Sequence, residues 1–492
     1  MKRILSLILA VLMLVSASTL LFSCDKEENE EKKNNSDDTA VVDDGSIFYE
    51  RSLVSDDLPE MNYGGRDFRI VTHNLKDIYI PEEEQNKGDL IKDAKLARNE
   101  KVENRFNIKI NVVYNGTYGE VSDYVSKTVL AGNDEFDLLM GMAVSTGGLV
   151  QKNLFLNWYN IEHVNFDKPW WAASNKTDLT YDGKCPLAVS DLNFSSLTST
   201  YCMLFNKNLA ASYELGDIYG IVLDGKWTYD KLHEMVKDIY VDDGNDTRDI
   251  SDFYGLAHGN GSCVNTYLWA FDNPVCAKDA EGVPQIAVKT DKINAIVTDI
   301  YEMFYNTEGV YFDGQLTNEK ALSGDIFYAK RAIFTTGAIG SPTDEKFRNF
   351  DDDIGIIPYP KYDENQAEYH TMADGFHTIL AVPKTCRDTE YVGMITEALS
   401  AESWKTLTPT LYEIALKTRY LRDNESKEIM DIIINGRTFD FGYIYDNWKG
   451  YSFTLEFMMR DGISNFESYY DKQYATARMQ YKLIVKAFDK LT

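Results

Sequence analysis

Residues 66–141 constrain the chain more than any other stretch. Arg66-Asp-Phe-Arg-Ile-Val-Thr72 alternates like a strand and stops at His73-Asn74. Asp89 to Phe106 has helical spacing, with Leu90, Ala94, Ala97, Val102 and Phe106 on one apolar side. Asn107 to Tyr114 alternates again, and Gly119 to Ala131 reads as a second helix. Phe136 to Gly141 is short and apolar, as a buried parallel strand is. Strand, helix, strand, helix, strand with short connections predicts a parallel, doubly wound sheet.

A second organising stretch follows. Thr198 to Phe205 is rich in Thr, Tyr and Phe, a β-type run that ends at Asn206-Lys207. A short helical piece comes next, with Leu209, Tyr213 and Leu215 as its apolar residues, and Gly216 can end it in the left-handed conformation. Trp227-Thr228 opens another helix. Thr228 is its expected N-cap, Asp230 suits the positive end, and Leu232, Met235, Val236 and Ile239 keep i, i+3, i+4, i+7 spacing.

At 492 residues, 44% of them hydrophobic, the chain is too long for one compact core, and two domains are expected. A formal charge of −28 repels phosphates and excludes nucleic acid or an anionic membrane surface as partner. Met1-Lys2-Arg3 followed by the apolar run Ile4 to Phe22 has the form of a secretory signal, here residues 1–23. The alternative is an uncleaved membrane anchor, since the run is nearly long enough to span a bilayer. The charged stretch after Cys24 lacks aromatics and cannot bury a core, so residues 24–59 are expected to be a disordered acidic tether. Beyond Cys24, five cysteines remain (Cys185, Cys202, Cys263, Cys276 and Cys386), an odd number that cannot all pair. Cys202 reads as a core thiol, and a Cys263–Cys276 bridge stays open.

Several of these segments share a pattern. Leu21-Phe22-Ser23-Cys24 resembles the lipobox of bacterial lipoproteins, in which the cysteine becomes the lipidated first residue. Arg98-Asn99, Phe136-Asp137-Leu138, Phe205-Asn206-Lys207, Trp227-Thr228 and Phe253-Tyr254-Gly255-Leu256 resemble the bacterial extracellular solute-binding proteins of ABC importers, the family that includes maltose-binding protein. So do Gly324-Asp325, Arg331 to Phe334, Gly337-Ala338, Asp353 to Pro360 and Asp374 to Pro383.

The resemblance implies an α/β, two-lobed periplasmic-binding-protein type II fold: two sheets flanked by helices, a hinge and a ligand cleft. It puts residues 60–197 and 376–415 in the first lobe and 198–375 and 416–492 in the second, with crossings near Thr198–Phe205, Thr371–Phe376 and Ala415–Tyr420. It implies a monomer on the outer face of the bacterial cytoplasmic membrane. There it would capture a small solute, an oligosaccharide, and hand it to the transmembrane permease subunits, with no cofactor and no catalysis.

The residues themselves offer no competing chemistry. There is no His-Glu-x-x-His pair, no Gly-x-Ser-x-Gly elbow and no phosphate-binding glycine loop. Two other readings stay open: a surface-tethered carbohydrate-active enzyme, and a ligand-sensing protein without a transport role. In the acidic stretch 241–252, Asp243, Asn245, Asp249 and Asp252 fall at positions 3, 5, 9 and 12 of a degenerate calcium loop that lacks the usual first ligand and the glycine at position 6.

Sugar sites combine flat aromatic platforms with hydrogen-bonding side chains, which draws attention to Trp170-Trp171, Trp269, Phe376 and Trp448. Ligand contacts are expected where strands end at the cleft: His73 and Asn74, Met142, Ala338 and Gly340, and Asp374, Phe376 and His377, with Trp269 and Trp448 as platforms. Replacing Cys24 by Ala should release the protein from membranes or leave its signal uncleaved. Fractionation showing a processed, still membrane-bound Cys24→Ala chain would count against the lipid anchor.

Overall fold

The computed structural model describes residues 47–78, 89–286, 291–314, 322–417, 424–445 and 451–491. Cys24, Trp448 and the signal segment lie outside these residues, as does part of the expected third crossing at Ala415–Tyr420.

Local chemistry sets the elements of the first sheet. Asp89 caps the helix Leu90–Phe106 by accepting from the amides of Ile91 and Lys92, and Asn107 ends it at φ 49°. Thr117 and Glu120 form a reciprocal capping box on the helix Tyr118–Leu130. Strand Arg66–Thr72 pairs in parallel with Ile108–Asn115 on one side and Leu138–Met142 on the other. Thr378–Ala381 adds antiparallel to Leu138–Met142, with Met142 opposite Thr378. Every residue of Leu138–Met142 is buried, whereas Ile108–Asn115 at the edge alternates.

The second sheet is ordered Ile354–Ile357, Tyr201–Asn206, Ala332–Ala338, Phe253–His258 and Tyr240–Val241, and Val310–Phe312 also pairs with Phe253–His258. Ala332–Ala338, Phe253–His258 and Val310–Phe312 run parallel, while Tyr201–Asn206 is antiparallel to both of its neighbours. The Asn206 side chain caps the next helix, Lys207–Ser212. Gly216 lies at φ 78°, but it precedes an additional helix, Ile218–Leu223, that the apolar spacing does not announce. Thr228 accepts from the Lys231 amide as an N-cap should. The Trp227 ring is fully buried, its Nε1 donating to the Pro358 carbonyl at 3.0 Å.

Two expectations change. The tether does not reach residue 59: Ile47–Ser52 is a helix whose Arg51 donates to the Trp404 carbonyl at 2.7 Å and lies over the Trp404 ring. Asp56 then pairs with Arg105 at 2.5 Å. Ile47-Phe48-Tyr49 and Arg51 supply the apolar and cationic groups that the preceding acidic run lacks. The Cys263–Cys276 bridge is absent, and all five cysteines are free. Among the described residues no helix is long and apolar enough to cross a membrane.

The aromatic pair Trp170-Trp171 is core. Their indole N–H groups donate to the two oxygens of Glu397 at 2.9 and 2.8 Å, and all three residues are buried. Burial pushes the Glu397 carboxyl up to about 7, although both indoles oppose the shift. Between the unfolded value near 4.5 and 7, the folded chain holds a proton that the unfolded chain has lost. Stability from this group is therefore complete below pH 4.5 and falls as pH rises through 7, by up to about 3 kcal/mol. Glu397→Gln leaves one indole without an acceptor and should lower Tm at every pH. Its pH slope between 5 and 8 should nonetheless be shallower than in the native chain, which denaturant titrations at several pH values would reveal.

Candidate functional site

In open α/β sheets the crevice for a ligand lies beyond the carboxyl ends of the strands. Here those ends belong to both sheets, and two crossing segments draw them together. The segment before Tyr201 and the segment before Thr378 bond to each other: Asp374 N donates to the Ser199 carbonyl at 3.0 Å, and Thr200 bridges Ala373. Just beyond Ala332–Ala338, Ile339 N and Gly340 N donate to the carbonyls of Thr200 and Thr198, each at 2.9 Å. A Cβ on Gly340 would stand 2.7 Å from the Thr198 carbonyl oxygen, so this approach needs glycine.

Most of the residues expected at strand ends sit around this junction. His73 Nε2 lies 3.0 Å from the Phe376 carbonyl, which only accepts, so Nε2 carries the proton and donates. Met142 is the last residue of its strand, and Ala338, opposite Tyr201, donates its amide to the Ser341 hydroxyl. Asp374 accepts from the Tyr201 hydroxyl at 2.6 Å and from the Phe376 amide at 2.9 Å. Phe376 is 62% exposed and meets Tyr118, itself 51% exposed, edge to face at 6.4 Å.

Three expected contacts take other roles. Asn74 turns its side chain back on the Lys76 amide. His377 is buried, donates Nδ1–H to the Thr378 carbonyl, and is pushed down to about 4 by burial, so it stays neutral. Trp269 is 2% exposed and its Nε1 donates to Asp440 at 3.1 Å, which makes it a packed residue rather than an open platform. Helix Ser262–Ala270 is buried from Cys263 to Ala270, and its apolar spacing carries no mark of which end meets the crevice.

Other groups at the junction were not singled out from the sequence. The Tyr443 hydroxyl accepts from the Gly375 amide at 3.0 Å. Glu456 is oriented by Asn265, whose Oδ1 accepts from the Glu456 amide at 2.9 Å. Burial pushes Glu456 up to about 6, with Arg460 opposing and Asp374 adding to the shift. Asp313, after Val310–Phe312, is also pushed up to about 6 by burial, and accepts from the Ser323 amide. The position of Asp313 after its strand is a signal that strand-end reasoning can use; Tyr443 and Glu456 come from helices hundreds of residues away in sequence from the first strand. The arrangement offers exposed aromatic edges, carboxylate acceptors and backbone donors.

The four residues of the acidic loop do not share one cage. Asp243 and Asp252 come together with Asp242, all three within 4.8 Å, while Asn245 Nδ2 bonds Asp249 at 3.1 Å. Both Asp252 oxygens already accept from the loop, one from the Asp243 amide and the other from the Asp249 amide and the Tyr240 hydroxyl. Asp252 thus acts as the loop's internal acceptor, and its oxygens do not fit an open calcium position.

Comparison with known proteins gives the same architecture. An ABC substrate-binding protein from Listeria monocytogenes, solved with cycloalternan, is 13% identical, with a TM-score of 0.53 over 86% of this chain and 99% of that one. The GacH receptor of Streptomyces glaucescens, solved unliganded and with acarbose, is 12% identical, with a TM-score of 0.54 over 85% and 98%. A cyclo/maltodextrin-binding protein complexed with maltotetraose is 14% identical, with a TM-score of 0.52 over 87% and 98%. No curated protein sequence matches the chain. The sequence model for bacterial extracellular solute-binding proteins matches residues 90–390. That span is more than half of the chain and covers the second sheet, both crossings and all of the first sheet except strand Arg66–Thr72, and the chain belongs to the bacterial extracellular solute-binding protein family.

Proposed function

We propose that this protein captures an oligosaccharide in a cleft between residues 60–197 with 376–415 and residues 198–375 with 416–492, and delivers it from a lipid anchor on Cys24 to an ABC permease. One observation carries the reading: the exposed Phe376 and Tyr118 rings stand at the return crossing beside Asp374, where strand ends from both sheets meet. Flat aromatic faces match the C–H faces of sugar rings, and carboxylates accept from their hydroxyls. The oligosaccharides named for the three similar structures support that class. Binding needs no covalent step, because a ligand touching both sides shifts the population toward a closed form.

Calorimetry with maltotetraose, acarbose and cycloalternan tests the proposal, and chromatography should recover each ligand intact. Turnover of any of them would move the assignment to an enzyme. Phe376→Ala should weaken the best of these ligands by about 1–3 kcal/mol, as for other aromatic anchors, and leave Tm nearly unchanged because the ring is exposed.

Gly375→Ala should act differently. The new Cβ would lie 2.5 Å from Val144 Cγ1 and 2.7 Å from the Tyr443 hydroxyl, so the crossing must move. Both Tm and affinity should fall, the stability loss being about 1–3 kcal/mol. Gly148→Ala, where the added carbon meets nothing within 4 Å, is the control and should be silent.

A further inference from the structure

Two guanidiniums without an ion pair mark a second cavity. Arg51, Asp191, Asp431 and Arg437 line a space of about 310 Å³ beside the helices Ile47–Ser52, Thr389–Lys417 and Asn424–Asn435. Ligand pockets run from roughly 300 to 1,000 Å³, so this one suits a small molecule. None of the residues gathered at the crossing junction lines it. Phe439 forms the wall on that side, where it meets the buried His377 of the return crossing edge to face at 5.4 Å.

All four charged side chains are half-buried, and neutral groups hold each of them in place. Arg51 donates to the Trp404 carbonyl at 2.7 Å. Arg437 donates from Nε to the Ile434 carbonyl at 3.0 Å and from Nη1 to the Ser196 hydroxyl at 3.4 Å. Asp191 accepts from the Thr408 hydroxyl and Asp431 from the Tyr412 hydroxyl, each at 2.7 Å. Among the described residues neither guanidinium forms an ion pair, and most of their N–H donors have no protein partner. Asp191 and the two guanidiniums attract one another at longer range, too far apart for contact. Burial opposes the charge on all three, pushing the Asp191 carboxyl up and both guanidiniums down. Groups in this condition gain when a ligand brings the opposite charge to hydrogen-bond distance.

The balance of charge selects the ligand. A bare anion would answer the guanidiniums and be repelled by the two carboxylates, and a bare cation would meet the reverse. A molecule carrying both signs satisfies both sets and has no net charge for the field of a −28 chain to repel. The planar fork of arginine matches a carboxylate, and an ammonium offers three donors to carboxylates. We infer that this cavity binds an α-amino acid as its zwitterion, with the carboxylate at Arg51 and Arg437, the ammonium at Asp191 and a short aliphatic side chain beside Ile434. The site stands independently of the oligosaccharide reading. Arg437 reaches Ser196 before the first crossing, and its strand Arg437–Thr438 pairs with Thr371–Met372 before the return crossing. An occupant held by Arg437 therefore bears on the segments leading into both.

Isothermal titration of the full chain with L-valine tests this, with isovalerate as the same molecule lacking the ammonium and isobutylamine as the one lacking the carboxylate. Valine should bind saturably, and each counterpart should bind roughly tenfold or more weakly, the scale of one lost charge-assisted contact. Asp191→Asn can still accept from Thr408, and it should bring valine and isovalerate toward parity. Phe376→Ala should leave valine binding intact, which separates this site from the crossing junction. No saturable valine binding, equal binding of valine and isovalerate by the native chain, or a preference that survives Asp191→Asn overturns the proposal. If Asp191→Asn lowers Tm, Arg51→Gln decides instead: it should weaken valine and isovalerate while leaving isobutylamine unchanged. An equal loss of all three ligands, or no loss, has the same overturning meaning.

Discussion

The carboxylate of Asp77 is the bond on which the arrangement around the cleft depends. It is buried, it follows the first strand, and it reaches both crossings at once. Oδ1 accepts from the Ser195 amide at 2.8 Å, and Oδ2 accepts from the hydroxyls of Ser195 and Thr378, each at 2.5 Å. Ser195 lies just before the first crossing and Thr378 just after the second. A charged acceptor in an interior of low polarity holds such donors strongly, and leaving it without them would be costly. One side chain thus fixes where both segments leave the first sheet.

The support behind Asp77 is itself buried and polar. Arg98, 1% exposed, donates to the carbonyls of Asp77 and Ile78, to Asn99 Oδ1 and to the Ser403 hydroxyl. It thereby joins the loop after the first strand to helix Leu90–Phe106 and to helix Thr389–Lys417. On the far side of the crossings the contacts are of another kind. Tyr201 meets Asp374, Tyr443 meets Gly375, and Ile339 and Gly340 meet the backbone at residues 200 and 198. Tyr201, Asp374 and Gly340 are half-buried, whereas Tyr443, Gly375 and Ile339 are buried, and each group makes one of these hydrogen bonds. The crossings are therefore held at the first sheet by one carboxylate with several donors and at the second by separate hydrogen bonds from several residues.

Much of this was legible from the residues. Alternation at 66–72 and 107–114, a short apolar run at 136–141 and helical spacing between them located the first three strands to within two residues of Arg66–Thr72, Ile108–Asn115 and Leu138–Met142, because burial leaves a direct mark on sequence. Strand ends likewise brought His73, Met142, Ala338, Asp374 and Phe376 to one junction. The failures have a common cause. Trp269 was expected as a platform, and Trp170 and Trp171 drew attention, because flat aromatic rings suit the faces of sugars; each also carries an indole N–H. Sequence does not show that this N–H is satisfied inside, by Asp440 for the first and Glu397 for the other two. Tyr443 and Glu456 were invisible for the opposite reason, since nothing in the chain near them names the distant glycine or asparagine that positions them.

Those buried pairs also change what the acidic composition means. A formal charge of −28 reads first as a solvated surface, yet Asp77, Glu397, Asp440 and Asp252 are buried acceptors that organise turns and indoles from within. Each serves donors from segments that a hydrophobic pattern alone would leave unspecified. Apolar burial is non-directional and tolerates many registers, whereas a carboxylate with two or more fixed donors accepts only one geometry. In this chain the hydrophobic pattern builds the sheets and the buried carboxylates decide how their connecting segments meet. The cleft is formed by connecting segments, so its shape follows from the second of these more than from the first.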